Sequence, residues 1–229
     1  MRSALAKITV VTAISLLTGC GGASKFPTVT IYESSEQFVK LYHIPVKNHG
    51  VEFSHPTSIS EEAMRKILRG VMIQEYYGAA PLPLMDSMME GSRHRAFSEP
   101  WINFFAPKLV KGLQQATPEE VVAFFETGQV TSQRQMTTSG GLYVRGEELY
   151  IFASNYHVLT QKWQDNEEYR VKFSMTPLES IEAEPGKMEF EPVTYMVKPG
   201  GKGYEKALGK PNLHVGVLFK KLALEPTSE

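Results

Sequence analysis

The six histidines are the side chains of this sequence best suited to acid–base or metal chemistry near neutral pH. His43, His49 and His55 are spaced by six residues, which matches neither the helical nor the strand period. They either meet through tertiary folding as zinc or copper ligands or lie exposed in turns, and the spacing favours the turns. His157 ends an apolar run and is either a general base or a polar group at a strand end, with no partner carboxylate identifiable. The histidines therefore predict no metal ion, no cofactor and no catalytic residue.

The motifs that identify common catalytic sites are missing from this sequence. It contains no His-Glu-x-x-His zinc-protease motif and no Gly-x-Ser-x-Gly nucleophile turn. The stretch from Gly203 to Lys210 departs from a phosphate-binding loop, because its glycines are one residue too far apart and Pro211 replaces the required Ser or Thr. Acidic residues concentrate in Asp165–Glu168 and Glu179–Glu191, which are runs typical of solvated surfaces. The many carboxylates still leave a paired-carboxylate hydrolase open.

Composition narrows the class of protein. The 229 residues include 24 basic and 25 acidic side chains, for a net charge of −1, and 42% of them are hydrophobic. This length and hydrophobic content suit a globular domain with a substantial core. Nucleic-acid binding is not expected, because it requires a basic surface that displaces phosphate counterions. The single cysteine, Cys20, excludes an internal disulfide and a cysteine-rich zinc site.

Residues 1–20 have the pattern of an export signal. Arg2 and Lys7 provide a positive N-terminal region, and Ile8–Leu17 provide an apolar stretch shorter than the roughly 20 residues needed to span a bilayer. The ending Leu17-Thr18-Gly19-Cys20 resembles the lipobox of bacterial lipoproteins. In that family the cysteine sulfur is diacylated, the signal is cut just before the cysteine, and the new N-terminus is usually acylated as well.

The lipobox resemblance implies how the chain is divided. Residues 1–19 are expected to be a lipoprotein signal peptide, residues 20–25 a lipidated tether, and residues 26–229 a single α+β periplasmic domain. Two or three acyl chains on Cys20 would hold the protein firmly on a membrane, since one chain alone binds marginally. Gly21 rather than Asp follows the cysteine, which in this family points to the periplasmic face of the outer membrane. Cleavage leaves 22 basic and 25 acidic side chains, a net charge of −3, and no free thiol.

One segment of the mature chain is apolar yet unsuited to a helix. Gly78–Met89 contains Pro81 and Pro83 among alanine, leucine and methionine residues, and prolines interrupt a continuous helix. Methionine side chains adapt to irregular partners, and exposed apolar loops mark interfaces. The segment is either a docking surface for an envelope protein or a loop folded over the core. The residues that would dock are Leu82, Leu84, Met85, Met88 and Met89.

Two helices are predicted in the mature chain. Ser58 and Glu61 have capping-box spacing, and the apolar pattern after them predicts an amphipathic helix that ends near Tyr77. Ser98 and Pro100 predict the start of a second helix with one apolar stripe.

The strand predictions centre on a hairpin. Thr137–Val144 and Glu148–His157 flank a short turn that contains Gly146. Further strands are predicted at Thr28–Tyr32, Gln37–Ile44, Val121–Glu126, Tyr169–Met175, Phe190–Val197 and His214–Phe219. Together these elements predict an α+β fold, with a mostly antiparallel sheet packed against two main amphipathic helices.

The sequence favours a binding or assembly role over catalysis. Apart from the lipobox, the chain resembles only small bacterial envelope lipoproteins, in Ile31–Ser34, Phe38–Leu41 and the phenylalanine-rich strand before the hairpin, and this resemblance implies no activity. The leading hypothesis is a non-enzymatic accessory or assembly subunit of a cell-envelope complex, with a membrane and an envelope protein as partners. The alternative is a carrier of a lipid or other amphipathic molecule, and a periplasmic hydrolase ranks third. The carrier would use an aromatic cavity lined by Trp101, Phe104, Phe105, Phe124, Phe125 and Phe152.

Overall fold

Ten strands and three helices lie in the six stretches of the chain that the structure describes. The structure, a computed structural model, describes residues 27–44, 52–76, 90–161, 177–181, 186–197 and 213–223. The strands in these stretches are β1 (Pro27–Glu33), β2 (Gln37–His43), β3 (Val71–Tyr76), β4 (Glu90–Arg95), β5 (Glu120–Gln129), β6 (Arg134–Arg145), β7 (Glu148–Gln161), β8 (Gly186–Phe190), β9 (Met196–Val197) and β10 (Leu213–Val217). The helices are α1 (Glu61–Gly70), α2 (Glu99–Gln115) and α3 (Phe219–Ala223), and a 3-10 turn covers Val193–Tyr195.

Seven of these strands form one antiparallel sheet in the order β1-β2-β5-β6-β7-β10-β9. The predicted hairpin, β6 and β7, lies in the middle of this sheet. Gly146 takes a φ of +59° in the turn, a conformation that glycine adopts without strain. The α+β prediction is confirmed at the level of a strand-rich fold with a large antiparallel sheet and few helices.

A second, three-stranded antiparallel sheet has the order β4-β3-β8. Its central strand, β3, occupies residues that were predicted to belong to the first helix. α1 begins after Ser60, whose Oγ accepts the Ala63 N–H at 3.1 Å, rather than after Ser58. It ends at Gly70 rather than near Tyr77, and β3 follows at once. β3 continues the apolar spacing of the helix, but its backbone pairs with strands distant in sequence. Local periodicity cannot reveal such pairing, so the predicted helix was too long.

The helix α2 begins where the sequence predicts. The Oγ of Ser98 accepts the Trp101 N–H at 3.4 Å, and proline occupies the first turn, where its missing N–H costs no helical hydrogen bond. α2 packs against α1 and against β1, β2 and β5. Its buried residues include Phe105, Leu109 and Leu113.

The seven-stranded sheet buries side chains on both of its faces. One face, with Phe124 and Ile151, shares a core with the three helices and with β3 and β8. The other face is rich in aromatic side chains, including Phe125, Tyr143 and Phe152. The N-terminal end of α2 meets β5, β6 and β7 beside β4, and the candidate site lies at this meeting point.

Candidate functional site

A cavity of about 320 Å³ opens where α2 and β4 meet the middle strands of the large sheet. We term it the histidine cavity; among the described residues its lining includes His94, Phe97, Trp101, Glu126, Thr138, Tyr156 and His157. A second cavity of about 300 Å³ borders Tyr156 and His157 as well, and it reaches Glu75 and Tyr76. Small-molecule sites are concave pockets with a few well-placed polar groups, and titratable residues in shifted environments concentrate there. The histidine cavity is therefore the candidate site.

A β-bulge directs two consecutive side chains of β7 into the same cavity. The β6–β7 pairing shifts register around Ser139, and His157 has a φ of +53°, a left-handed conformation uncommon outside glycine. The backbone N–H of His157 donates to Thr138 Oγ1 at 3.3 Å. In a regular strand Tyr156 and His157 would point to opposite faces, whereas here both line the cavity with ring centroids 4.1 Å apart. Backbone strain of this kind concentrates at functional sites.

His94 on β4 forms a hydrogen-bonded pair with Glu75 on β3. The His94 Nε2 lies 3.1 Å from Glu75 Oε1, and its Nδ1 lies 3.1 Å from the carbonyl oxygen of Arg95. Both neighbours are acceptors, so both hydrogen bonds form only when the ring carries two protons. Ser92 donates its hydroxyl to Glu75 at 2.6 Å, and this bond, followed by that of His94, lowers the pKa of the Glu75 carboxyl. The Nε2 contact of His94 thus links β4 to β3, while its Nδ1 contact stays within β4.

His157 and Glu126 have pKa values shifted in opposite directions within the histidine cavity. Desolvation lowers the pKa of His157, the charge of His94 lowers it further, and Glu75 opposes the shift. Desolvation raises the pKa of Glu126, against the opposing effect of Gln37, whose Nε2 donates to the carboxylate at 2.8 Å. The cavity therefore contains an imidazole of lowered proton affinity, on an exposed residue, and a carboxyl of increased proton affinity. Such a pair is able to accept and donate hydrogen bonds, and protons, in one place.

Trp101 closes one side of the cavity with a buried indole. Its ring stacks on Phe97 at 4.1 Å and on Phe105 at 4.3 Å, and Phe124 meets it edge-on at 5.3 Å. Trp101 is only 6% exposed, and its Nε1–H has no acceptor among the described residues. A buried donor without an acceptor costs about 1–3 kcal/mol, and the packing around the indole covers the Nε1 atom itself.

The residues predicted to anchor and dock the protein lie outside the described residues. They are Cys20, Leu82, Leu84, Met85, Met88 and Met89. The structure does describe the residues on either side of residues 77–89, the stretch that contains the docking segment. Tyr76 and Glu90 pair with each other at the end of the β3–β4 ladder.

Of the histidines considered from the sequence, His157 is the one found in the histidine cavity. His43 lies at the end of β2, and His49 lies outside the described residues. His55 is buried, and its Nε2 accepts the Val144 N–H at 3.0 Å. Within the described stretches, no group of three or more His, Cys, Asp or Glu side chains is arranged to hold a metal ion.

The six aromatic residues proposed to line a carrier cavity do not share one cavity. Trp101 and Phe124 lie on the helix-covered face of the large sheet, while Phe125 and Phe152 lie on the opposite face. Successive residues of a strand point to opposite faces, which separates Phe124 from Phe125. Among the six, Trp101 lines the histidine cavity.

Sequence reasoning did not bring Glu75, His94, Glu126 and Thr138 into one site. Glu126 and Thr138 pair directly across β5 and β6, and β3 pairs Ile73 with His94, which brings Glu75 to the same face as His94. The β-branched residues at the start of β3 were the one available signal, because they favour a strand at Val71–Tyr76 over a longer helix. Nothing in the sequence indicates the bulge that redirects His157.

No protein-family model, curated protein or solved structure matches this chain. None of the helices within the described residues is both long and apolar enough to cross a membrane. Inference about function therefore rests on the residues of the chain itself.

Proposed function

We propose that this chain is a lipid-anchored protein of the periplasmic face of the outer membrane, and that it is a non-enzymatic accessory or assembly subunit of a cell-envelope complex. Cys20, at the end of the lipobox-like signal, supplies the anchor. The docking surface for an envelope protein consists of Leu82, Leu84, Met85, Met88 and Met89.

The pairing of Tyr76 with Glu90 is the observation that best supports the docking role. Because these two residues are neighbours across the β3–β4 ladder, residues 77–89 leave and re-enter the fold at adjacent points. Tyr76 also borders the second cavity, next to His157. A partner that contacts the apolar segment near its attachment would therefore also reach this end of the domain.

The packing around the helices supports a platform for such docking. We include in the proposal that α1 and α2 are amphipathic and form one layer on the large sheet. α1 buries Met64, Ile67 and Leu68 and leaves Glu62 and Arg69 exposed. α2 contacts both α1 and the sheet. A layered core of this kind holds the base of the docking segment in one position.

Photo-crosslinking in cells tests the docking role. A photoreactive amino acid would replace Leu84 or Met88 in the full-length chain, and the control positions would be Val130 and Val193, which are apolar and 50% and 64% exposed. We expect one protein adduct of the same mass from both docking positions, identified by mass spectrometry, and no such adduct from the controls. Membrane-bound protein that gives no adduct at Leu84 and Met88, or the same adducts at all four positions, would contradict the proposal.

A further inference from the structure

Glu126 is a half-buried carboxylate of the histidine cavity that forms no ion pair with any of the described residues. Its cross-strand neighbour Gln37 donates Nε2–H to Oε1 at 2.8 Å, which leaves the second oxygen, Oε2, for another donor. Desolvation raises the pKa of Glu126 against the effect of Gln37, and the charge of nearby Glu36 raises it further. This shift reflects the cost of an unpaired negative charge in the cavity, and a bound cation would remove that cost.

The other charged side chains of the cavity lining are compensated. Arg95 lies 3.5 Å from the carboxylate of Glu99, and its side chain is 59% exposed, so solvent screens its charge. His94 pairs with Glu75 at 3.1 Å. The charge that the lining leaves for a ligand is therefore the carboxylate of Glu126, and it selects a ligand with one positive charge.

The N-terminal end of α2 also borders the cavity, and its dipole alone would disfavour a cation. A helix N-terminus is equivalent to about half an elementary charge, and its effect falls off within the first turn. Ser98 Oγ already accepts the N–H of Trp101 in that turn, at 3.4 Å. The full negative charge of Glu126 therefore outweighs the helix end.

Two neutral acceptors complete the lining near Glu126. Thr138 lies directly across from Glu126 in the β5–β6 pairing, where cross-strand Cβ atoms are about 5 Å apart. Its Oγ1 accepts the backbone N–H of His157 at 3.3 Å and has a second lone pair. Desolvation lowers the pKa of the exposed His157, so at pH 7.5 its ring is mostly uncharged and one nitrogen is an acceptor. A carboxylate oxygen, a hydroxyl oxygen and an imidazole nitrogen match the three N–H donors of a primary ammonium group.

We propose that the histidine cavity binds the primary ammonium end of a small organic cation. The ammonium group pairs with Glu126 and donates to Thr138 and His157, and the carbon chain behind it lies against Phe97 and Tyr156, which line the same cavity. The volume of about 320 Å³ is at the lower end of the range for small-molecule sites, and a short aliphatic amine fits within it. This inference goes beyond the docking function and stands if that function fails, because it uses neither the anchor nor residues 77–89.

Ligand-observed saturation-transfer NMR on the purified full-length protein at pH 7.5 tests the proposal. The probes are butylammonium, 1-butanol, which is neutral, and butyltrimethylammonium, which keeps the charge but has no N–H donor. We expect saturable binding of butylammonium with a Kd of about 1 mM, as is common for a ligand of this size. The other two probes should bind about tenfold more weakly or not at all, because one lacks the charge and the other lacks the hydrogen bonds.

A carboxylate variant and its control locate the ammonium group at Glu126. Glu126→Gln removes the charge, but its amide oxygen still accepts from Gln37. Glu36→Gln is the matched control, because it removes the same charge from an exposed residue that is close to Glu126 but does not line the cavity. We expect the Kd for butylammonium to rise about tenfold in Glu126→Gln and to stay within about twofold in the control.

A second pair of variants tests the hydroxyl acceptor. Thr138→Val removes the hydroxyl at nearly constant shape, and Thr138→Ser keeps the hydroxyl. We expect the Kd for butylammonium to rise about fivefold in Thr138→Val and to remain near the parent value in Thr138→Ser.

The proposal is overturned by absence of saturable butylammonium binding, by equal binding of butyltrimethylammonium, or by a Glu126→Gln variant that binds as Glu36→Gln does. Circular dichroism and thermal unfolding establish that each variant is folded. Should Glu126→Gln fail to fold, the three probes on the parent protein and the two Thr138 variants decide the question.

Discussion

Burial of His55 ties the stability of the protein to pH. The side chain is 5% exposed, and its Nε2 accepts the Val144 N–H at 3.0 Å. Burial lowers the pKa of His55 from 6.5 to about 4, while the nearby carbonyl groups of Glu120 and Thr117 oppose the shift. A protonated Nε2 would also place its own N–H against the N–H of Val144. The folded state therefore favours the neutral ring.

We expect His55 to cost the protein about 2 kcal/mol of unfolding free energy between pH 7.5 and pH 5. Above pH 6.5 the ring is neutral in both states and stability is full. Below that pH the unfolded chain binds a proton that the folded protein excludes, and the loss continues until about pH 4. Urea unfolding at both pH values should show a smaller loss in His55→Gln, whose amide oxygen still accepts from Val144. Equal losses in the two proteins would contradict this origin. Burial also lowers the pKa of His214, to about 3, but His214 is present in both proteins, so its contribution cancels in the comparison.

Among the secondary-structure elements, the β6–β7 pairing depends on the absence of a side chain at Gly140. A Cβ there would overlap the carbonyl oxygen of Phe152 and lie 2.8 Å from the Cα of Ala153, and both of these are backbone atoms. We expect Gly140→Ala to lower the unfolding free energy by about 2–3 kcal/mol, because paired backbone cannot move aside cheaply. Gly128→Ala in β5 is the control, since nothing lies within 4 Å of its Cβ, and its effect should stay within about 0.5 kcal/mol. Similar urea midpoints for the two variants would disprove the close approach.

The same elements illustrate what the sequence can and cannot predict. The β6–β7 hairpin was predictable because its turn residues and its alternating side chains are local signals. The start of α2 was predictable for the same reason, from Ser98 and the proline after it. β3 was not, because Val71 and the residues after it fit both a helical stripe and a strand, and pairing with β4 and β8 decides between them. Where the two conflict, pairing with strands distant in sequence outweighs local secondary-structure propensity.

In the whole molecule, the histidine cavity exists only because the consecutive elements β4 and α2 meet β5, β6 and β7, which follow later in the chain. His94 comes from β4, Trp101 from α2, and His157 from the bulge in β7. Sequence reasoning identified His157 as a residue able to do chemistry and Trp101 as an aromatic lining residue. It could not join them, because neither register nor bulge position is encoded in a local pattern. The predicted localisation is the opposite case, since it is inferred from residue types and spacing within residues 1–20 alone.

The predicted lipid anchor gives the last prediction, which concerns the membrane in which the protein resides. Cys20→Ser removes the sulfur that would carry the diacylglycerol, so we expect mass spectrometry to find acyl chains on the parent protein and none on the variant. Each buried methylene contributes about 0.8 kcal/mol, so the parent should stay with the membrane through washing and the variant should lose its lipid-dependent retention. The residue after the cysteine is expected to decide which membrane holds the protein. Gly21→Asp should keep the acyl chains but move the protein from the outer to the inner membrane in a density gradient, because the sorting signal lies directly after the cysteine. Gly22→Asp adds the same charge one residue later and should leave the protein in the outer membrane. An unacylated parent would disprove the lipid anchor, whereas identical gradients for both aspartate variants would disprove only the sorting rule.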